Sequence, residues 1–316
     1  MPKFDKVCLI TKKTPLDGLK ARYGAQDQAR FVLEQRGTSF AEYERFDFVY
    51  QEAIEAIRAG IPPDIRLSIV DYQYLPTYQF DPSSLIVTVG PDGLVANTAK
   101  YLNEQPIIAV NPDPVTIDGV LARNEPAEAL SLIQDPDRAV EQGIVMAEAK
   151  LADGQVLLAV NDLFIGQRTH VSARYRICFG ELMENQSSSG IIVSTGAGST
   201  GWRRSILTGA LAVANTAGKA PDVSFEDYAF PPTERKLAFA VREPFISRAS
   251  SATLVSGYIQ DRERLSVVSQ MPQNGVIFSD GVESDFLEFD SGAVASIGVS
   301  GRSVRLWSMF PNRSAR

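Results

Sequence analysis

Histidine occurs once in these 316 residues, at His170, and cysteine twice, at Cys8 and Cys178. A single histidine excludes a multi-histidine metal site and leaves one candidate for any histidine-assisted hydrolysis. Neither zinc-ligand spacing nor a nucleophile elbow is present. His170 lies in the polar run Gln167-Arg168-Thr169-His170-Val171-Ser172 and is read as structural or solvent-facing. The cysteines stand far apart on apolar strand patterns, so two buried thiols are expected and no disulfide. No apolar run approaches the roughly 20 residues that span a bilayer. The start, Met1-Pro2-Lys3-Phe4-Asp5-Lys6, lacks the apolar core of a signal peptide, so a cytoplasmic location is expected. A net charge of −7, spread without long runs, opposes non-specific nucleic-acid binding. Neither nucleic acid nor membrane is therefore expected as a partner.

What is present is an ordinary globular composition, 44% hydrophobic, which argues against disorder. The length exceeds what most single cores serve, so two domains are expected. Val7–Thr11 reads as a strand and Ala25–Gln35 as a helix stopping at Gly37. Tyr43, Phe46, Tyr50, Ala53, Ile54 and Ile57 recur at steps of three and four, which gives a helix one apolar face up to Gly60. The aromatic run Asp71 to Phe80 reads as loop packing rather than a stacking platform. Leu85–Val89 and Pro106–Val110 are apolar without alternation, as in strands covered on both faces of a parallel sheet. Residues 1–122 therefore form an α/β domain, to which the tail 300–316 is expected to return.

Beyond residue 120 the pattern changes. Pro126–Ile133 and Asp137–Gln142 read as short helices. Ile144–Leu151 and Gln155–Val160 flank Ala152-Asp153-Gly154, a hairpin signal. Arg174–Phe179, Ile191–Thr195, Lys236–Val241, Ala252–Ile259, Arg264–Gln270, Gly275–Ser279 and Ala293–Val299 read as strands, with one helix from Trp202. Residues 123–299 are accordingly a mostly antiparallel β domain.

Two segments suit an anion. Leu85–Val89 runs into Gly90-Pro91-Asp92-Gly93-Leu94 and then a helix, and backbone N–H groups at a helix start favour phosphate. Ile191–Thr195 runs into Gly196-Ala197-Gly198-Ser199-Thr200-Gly201-Trp202-Arg203-Arg204, with Ser194, Ser199 and Thr200 as donors or acceptors. Taken alone, such Gly/Ser/Thr clusters are more often plain loops, and the Gly-Lys-Ser/Thr end of a Walker loop is absent. Asp92 serves equally well as a turn-stabilising residue or as a site residue. Asn161-Asp162 admits the same two readings, and Asp280 reads as a hairpin Asp-Gly ahead of any site role.

Together these segments resemble the NAD kinase family, whose relatives include 6-phosphofructokinases and lipid kinases. Gly90-Pro91-Asp92-Gly93-Leu94 stands where that family carries Gly-Gly-Asp-Gly-Thr, and Ile108-Ala109-Val110-Asn111 resembles its following strand end. Asn161-Asp162 stands at its Asn-Glu, Ile192–Trp202 is similar to its Gly-Ser-Thr-Ala-Tyr segment, and Phe278-Ser279-Asp280-Gly281 resembles its late hairpin. The resemblance implies a Rossmann-like, phosphofructokinase-like α/β domain, a β-rich domain and a cleft between them. It implies phosphoryl transfer from ATP with Mg²⁺ to a hydroxyl of NAD(H) or a related nucleotide or sugar, in a homodimer or homotetramer. On this reading Asp92 is catalytic, and Gly90, Gly93, Leu94, Asn111, Gly198, Ser199 and Thr200 hold phosphate or nucleotide. Asn161, Asp162, Thr195, Gly201 and Trp202 bind the acceptor, with Arg203 and Asp280 as further candidates.

Several positions depart from the family pattern. Pro91 removes an N–H, Leu94 removes a hydroxyl, and Asp162 is one methylene short of glutamate. Ser189 replaces an acidic residue, and Gly201-Trp202 replaces Ala-Tyr. These departures leave a second reading open: a nucleotide-binding regulatory protein on the same scaffold that has lost transfer.

Overall fold

The computed structural model describes residues 4–219 and 228–310. The chain divides into two compact units, residues 1–142 with 305–316 and residues 143–304. The division falls later than residue 122 because the helix after it packs with the first unit. Residues 311–316 of the expected returning tail lie outside the described residues.

The first unit begins with β1 (Lys6–Thr11), α1 (Pro15–Tyr23), α2 (Gln26–Gln35), α3 (Ala41–Gly60) and β2 (Arg66–Asp71). It continues with β3 (Ser84–Val89), α4 (Asp92–Ala99), β4 (Ile107–Val110) and α5 (Pro126–Gln134). Its sheet is parallel in the order β2-β1-β3-β4, and Leu306–Trp307 add a fifth parallel strand beside Ile107–Ile108. Val7, Leu9, Leu85, Val87, Val89, Ile108 and Val110 form one core with Tyr50, Ala53 and Ile57 of α3 and Ala129, Leu132 and Ile133 of α5. The alternate residues of these strands are buried too, with α4 packed on β3 and β4. Burial on both faces is what the absence of alternation predicted. Helix α1 was not expected, although its start is written in Thr14-Pro15-Leu16-Asp17. Thr14 and Asp17 form a reciprocal capping box, and Pro15 occupies the first turn.

The second unit holds two antiparallel sheets. One is β12 (Ser256–Gln260), β11 (Lys236–Val241), β10 (Ile191–Ser194), β7 (Asp162–Gln167), β14 (Gly275–Ser279) and β15 (Val282–Glu288), in that order. The other runs β16 (Val294–Ser308), β13 (Leu265–Ser269), β8 (Ala173–Phe179) and β9 (Leu182–Ser188), with β5 (Val140–Leu151) on β16 and β6 (Val156–Ala159) on β5. Ile165, Phe239 and Ile277 from the first sheet share one core with Tyr175, Val267 and Ile297 from the second. The Asp153-Gly154 hairpin joins β5 to β6 as expected. Residues 137–142 are not a helix. One short turn, Pro136–Arg138, leads directly into β5, whose first residues already alternate. Both cysteines are free, but only Cys8 is fully buried; Cys178 is half-buried near the end of β8.

Trp307 is 1% exposed, and its indole Nε1–H donates to Glu141 at 2.8 Å. Its carbonyl accepts from the Asn124 amide at 3.0 Å. Truncating Trp307 to Ala is expected to cost about 3–5 kcal/mol of stability, read by urea denaturation, because it opens a cavity in the first unit's core.

Candidate functional site

Strand β3 ends at Val89, and the chain turns at Gly90, whose φ of +148° suits glycine. Helix α4 then starts with Asp92 in its first turn. The Asp92 carboxylate does not point to solvent. It accepts from three consecutive backbone N–H groups, Val120 at 2.9 Å and Leu121 and Ala122 at 2.9 and 2.8 Å. Burial raises its pKa, while those N–H groups and the Arg123 charge pull it back down. Leu94 is buried, and its N–H is taken by the Pro91 carbonyl at 2.8 Å. Asn111 is 6% exposed, its amide donating to Ile117 and its oxygen accepting from the Asp113 N–H. Of these expected phosphate ligands, Gly93 remains exposed, with open space around its Cα.

Beside this turn lies a cavity of about 360 Å³ that the sequence reading missed. It is lined by Lys12, Lys13, Thr14, Pro15, Phe46, Tyr50, Val89 and Pro91. Strand order places β2 and β3 on opposite sides of β1, so the cavity opens at the carboxyl ends of β1 and β3, where the order reverses. Ligands of open α/β sheets bind at such a switch point. Lys12 and Lys13 are exposed, and the Lys12 N–H donates to the Tyr50 hydroxyl at 2.7 Å. Burial pushes the Tyr50 phenol up to about 12, so it stays neutral. The available signal was two adjacent lysines directly after the first strand.

In the second unit, β10 leads into the glycine-hydroxyl loop. The Thr195 N–H donates to the Asn161 carbonyl at 2.9 Å, and its hydroxyl donates to Val160. The Ser199 hydroxyl donates to Gly196 at 2.7 Å. A Cβ on Gly198 would lie 2.2 Å from the Asn161 carbonyl oxygen, so only glycine allows this approach. The Ser194 hydroxyl donates to Asp162. Asp280, at φ +53°, accepts from the N–H groups of Val160, Asn161 and Asp162 at 3.0, 2.7 and 3.1 Å. That supports the hairpin reading of Asp280 and repeats the geometry seen at Asp92. Arg203 is 6% exposed and donates to the Tyr228 carbonyl and the Tyr258 hydroxyl, so packing occupies it. Thr200 and Gly201 are exposed, Asn161 and Trp202 half-buried, and His170 exposed.

No family model and no curated protein matches this sequence. Solved structures do match. Yeast NADH kinase, determined with NADH, shares 14% identity at a TM-score of 0.59 over 97% of this chain and 84% of its own. An NAD kinase from Archaeoglobus fulgidus, determined with ATP, shares 16% identity at a TM-score of 0.54 over 95% of this chain and 92% of its own. The chain has the NAD kinase fold. In this version of the fold, Asp92, Leu94, Asn111, Asp162, Thr195, Ser199, Arg203 and Asp280 are turned to internal partners. Among the described residues, no three His, Cys, Asp or Glu side chains gather as metal ligands.

Burial raises the Asp162 carboxyl to about 7, the negative charge of Asp280 adds to this, and the Ser194 bond opposes it. A raised folded-state pKa means that folding takes up a proton between the unfolded value, about 3.9, and about 7. This contribution is full at low pH and lost as pH rises through about 7. Asp162→Asn removes it, so the melting temperature of the variant should gain on the native chain from pH 5 to pH 8. A constant difference would show that Asp162 is already ionised at pH 5. Asp92→Asn places an amide N–H against backbone N–H groups and should cost about 1–3 kcal/mol in urea denaturation.

Proposed function

We propose that this protein is a phosphotransferase of the NAD kinase type, moving phosphate from ATP to an alcohol group of NAD(H) or a related nucleotide or sugar. The observation that carries this reading is the switch-point cavity, with Lys12 and Lys13 beside the Pro91–Gly93 turn. The complexes of the two structural neighbours, one with ATP and one with NADH, support the ligand class. Phosphoryl transfer has a loose transition state, so positioning and charge neutralisation dominate over proton abstraction. The acceptor oxygen forms a bond to the γ-phosphorus, the bond to the β–γ bridging oxygen breaks to release ADP, and the hydroxyl proton passes late to solvent. Lys12 and Lys13 would neutralise donor oxygens, and the Gly93 N–H at the start of α4 would orient them. Asp92 would act as a positioning residue that holds segment 120–122, since both its oxygens accept backbone N–H groups. The acceptor set carried by the second unit would reduce to Asn161, Gly201 and Trp202, the members not turned inward, with Thr200 left as an exposed nucleotide ligand. Mg²⁺ brought on the donor would add further neutralisation.

A second reading, nucleotide binding without transfer, is favoured by the same engagement of Asp92 and by the missing N–H of Pro91. The two readings separate in one experiment. ATP should raise the melting temperature, by about 2.7 kcal/mol of stabilisation at a hundred times its dissociation constant. Lys12→Ala with Lys13→Ala should weaken ATP binding at least about tenfold at low ionic strength, and less as salt rises. A kinase releases ADP when NAD, NADH or another acceptor is added, whereas a binder holds ATP without turnover. If neither ATP nor NAD(H) shifts melting at millimolar concentration, both readings are overturned.

A further inference from the structure

Donor phosphates account for Lys12 and Lys13 but not for the aromatic side of the switch-point cavity. Phe46 and Tyr50 stand four residues apart on α3, so their side chains share one face of that helix. Their rings stack with centroids 6.1 Å apart at 22°, and both line the cavity. Tyr50 is 4% exposed and belongs to the core of the first unit, whereas Phe46 is half-buried and packs against that core. Tyr50 is also held through its hydroxyl, which accepts from the Lys12 N–H at 2.7 Å. The inner ring is therefore fixed in place, and the outer ring keeps accessible surface.

The lining offers little else to a ligand. Besides the lysines and the two rings it consists of Thr14, Pro15, Val89 and Pro91. Thr14 is buried, and its hydroxyl donates to Asp47 at 2.6 Å and accepts from the Asp17 N–H at 3.2 Å. No amide, carboxylate or guanidinium side chain is in the lining. Reading the edge of a nucleotide base takes donors and acceptors of that kind, whereas stacking takes only a π-face, which every base has. On the reading of this cavity as the donor site, we infer that Phe46, backed by Tyr50, carries the base of a nucleoside triphosphate by stacking, and that no side chain reads the edge of that base. Phe46 is then the residue that separates a nucleotide donor from a phosphate chain without a ring, and adenine and guanine are held alike.

The test titrates ATP, GTP and inorganic tripolyphosphate into the full chain by calorimetry in metal-free buffer. Tripolyphosphate is at least as negative as ATP, so charge at Lys12 and Lys13 gives the nucleotides no advantage over it. ATP and GTP should bind within about threefold of each other, and both at least about tenfold tighter than tripolyphosphate. Phe46→Leu, with a melting temperature that shows a folded chain, should shrink that gap to less than about threefold and leave tripolyphosphate affinity unchanged. Phe46→Tyr should keep the gap. GTP binding more than about tenfold weaker than ATP, equal affinity for ATP and tripolyphosphate, or a gap that survives Phe46→Leu each overturns the inference while leaving phosphate binding at the lysines intact. If none of the three compounds binds at millimolar concentration, the donor-site reading itself falls, and the inference with it.

Discussion

Three consecutive backbone N–H groups converging on one carboxylate is the constraint on which the loops of this protein depend, and it occurs twice. Asp92 gathers the N–H groups of Val120, Leu121 and Ala122, and Asp280 gathers those of Val160, Asn161 and Asp162. Buried N–H groups in irregular backbone need partners, and a charged acceptor satisfies several at once more strongly than a neutral one. Each aspartate sits in a turn directly after a strand, so each ties a strand end to a segment distant in sequence. The consequence for chemistry is direct. Asp92, the catalytic candidate of the sequence, and Asp280, read there as a hairpin residue, both hold backbone shape, while Lys12, Lys13 and Gly93 are exposed.

The proposed phosphoryl transfer, which needs little proton abstraction, is compatible with this arrangement. Lys12 and Lys13 stand where the strand order of the parallel sheet reverses. The strand order, rather than any motif, marks the place. The same physics explains why Pro91 is accepted in the turn. Its missing N–H would have been a first-turn donor without an intrahelical partner, and its fixed φ suits the position before α4.

Much of the fold was legible in the residues. The unbroken apolar runs of β3 and β4 announced a parallel sheet covered on both faces, and the three-and-four spacing from Tyr43 to Ile57 announced α3. The Asp153-Gly154 turn announced its hairpin. Less visible were β7, β9 and β15: β7 is defined by partners far along the chain, β10 and β14, while β9 and β15 pair with the strand just before them but carry polar runs, such as Glu184-Asn185-Gln186, where a strand pattern would want apolar residues. Of the candidate site, the sequence shows the two turn segments that follow strands, and the structure shows which way their side chains turn. Gly93, Thr200 and Gly201 are exposed, and Trp202 is half-buried against Phe164. The Asp162 side chain is turned inward by the Ser194 hydroxyl, a partner distant in sequence that no local pattern encodes, and Ser199 by the Gly196 carbonyl within its own loop.

Strand β16 begins among the antiparallel strands of the second unit and ends as the last strand of the parallel sheet in the first. Chains are made from the amino end, so β1 to β4 emerge long before Leu306 and Trp307 do. Until then β4 presents an unpaired, apolar edge, the kind of surface that recruits the wrong neighbour. The first unit therefore waits, incompletely closed, through synthesis of the whole second unit, and a ribosome stalled before residue 305 would leave a half-built sheet for chaperones to shield.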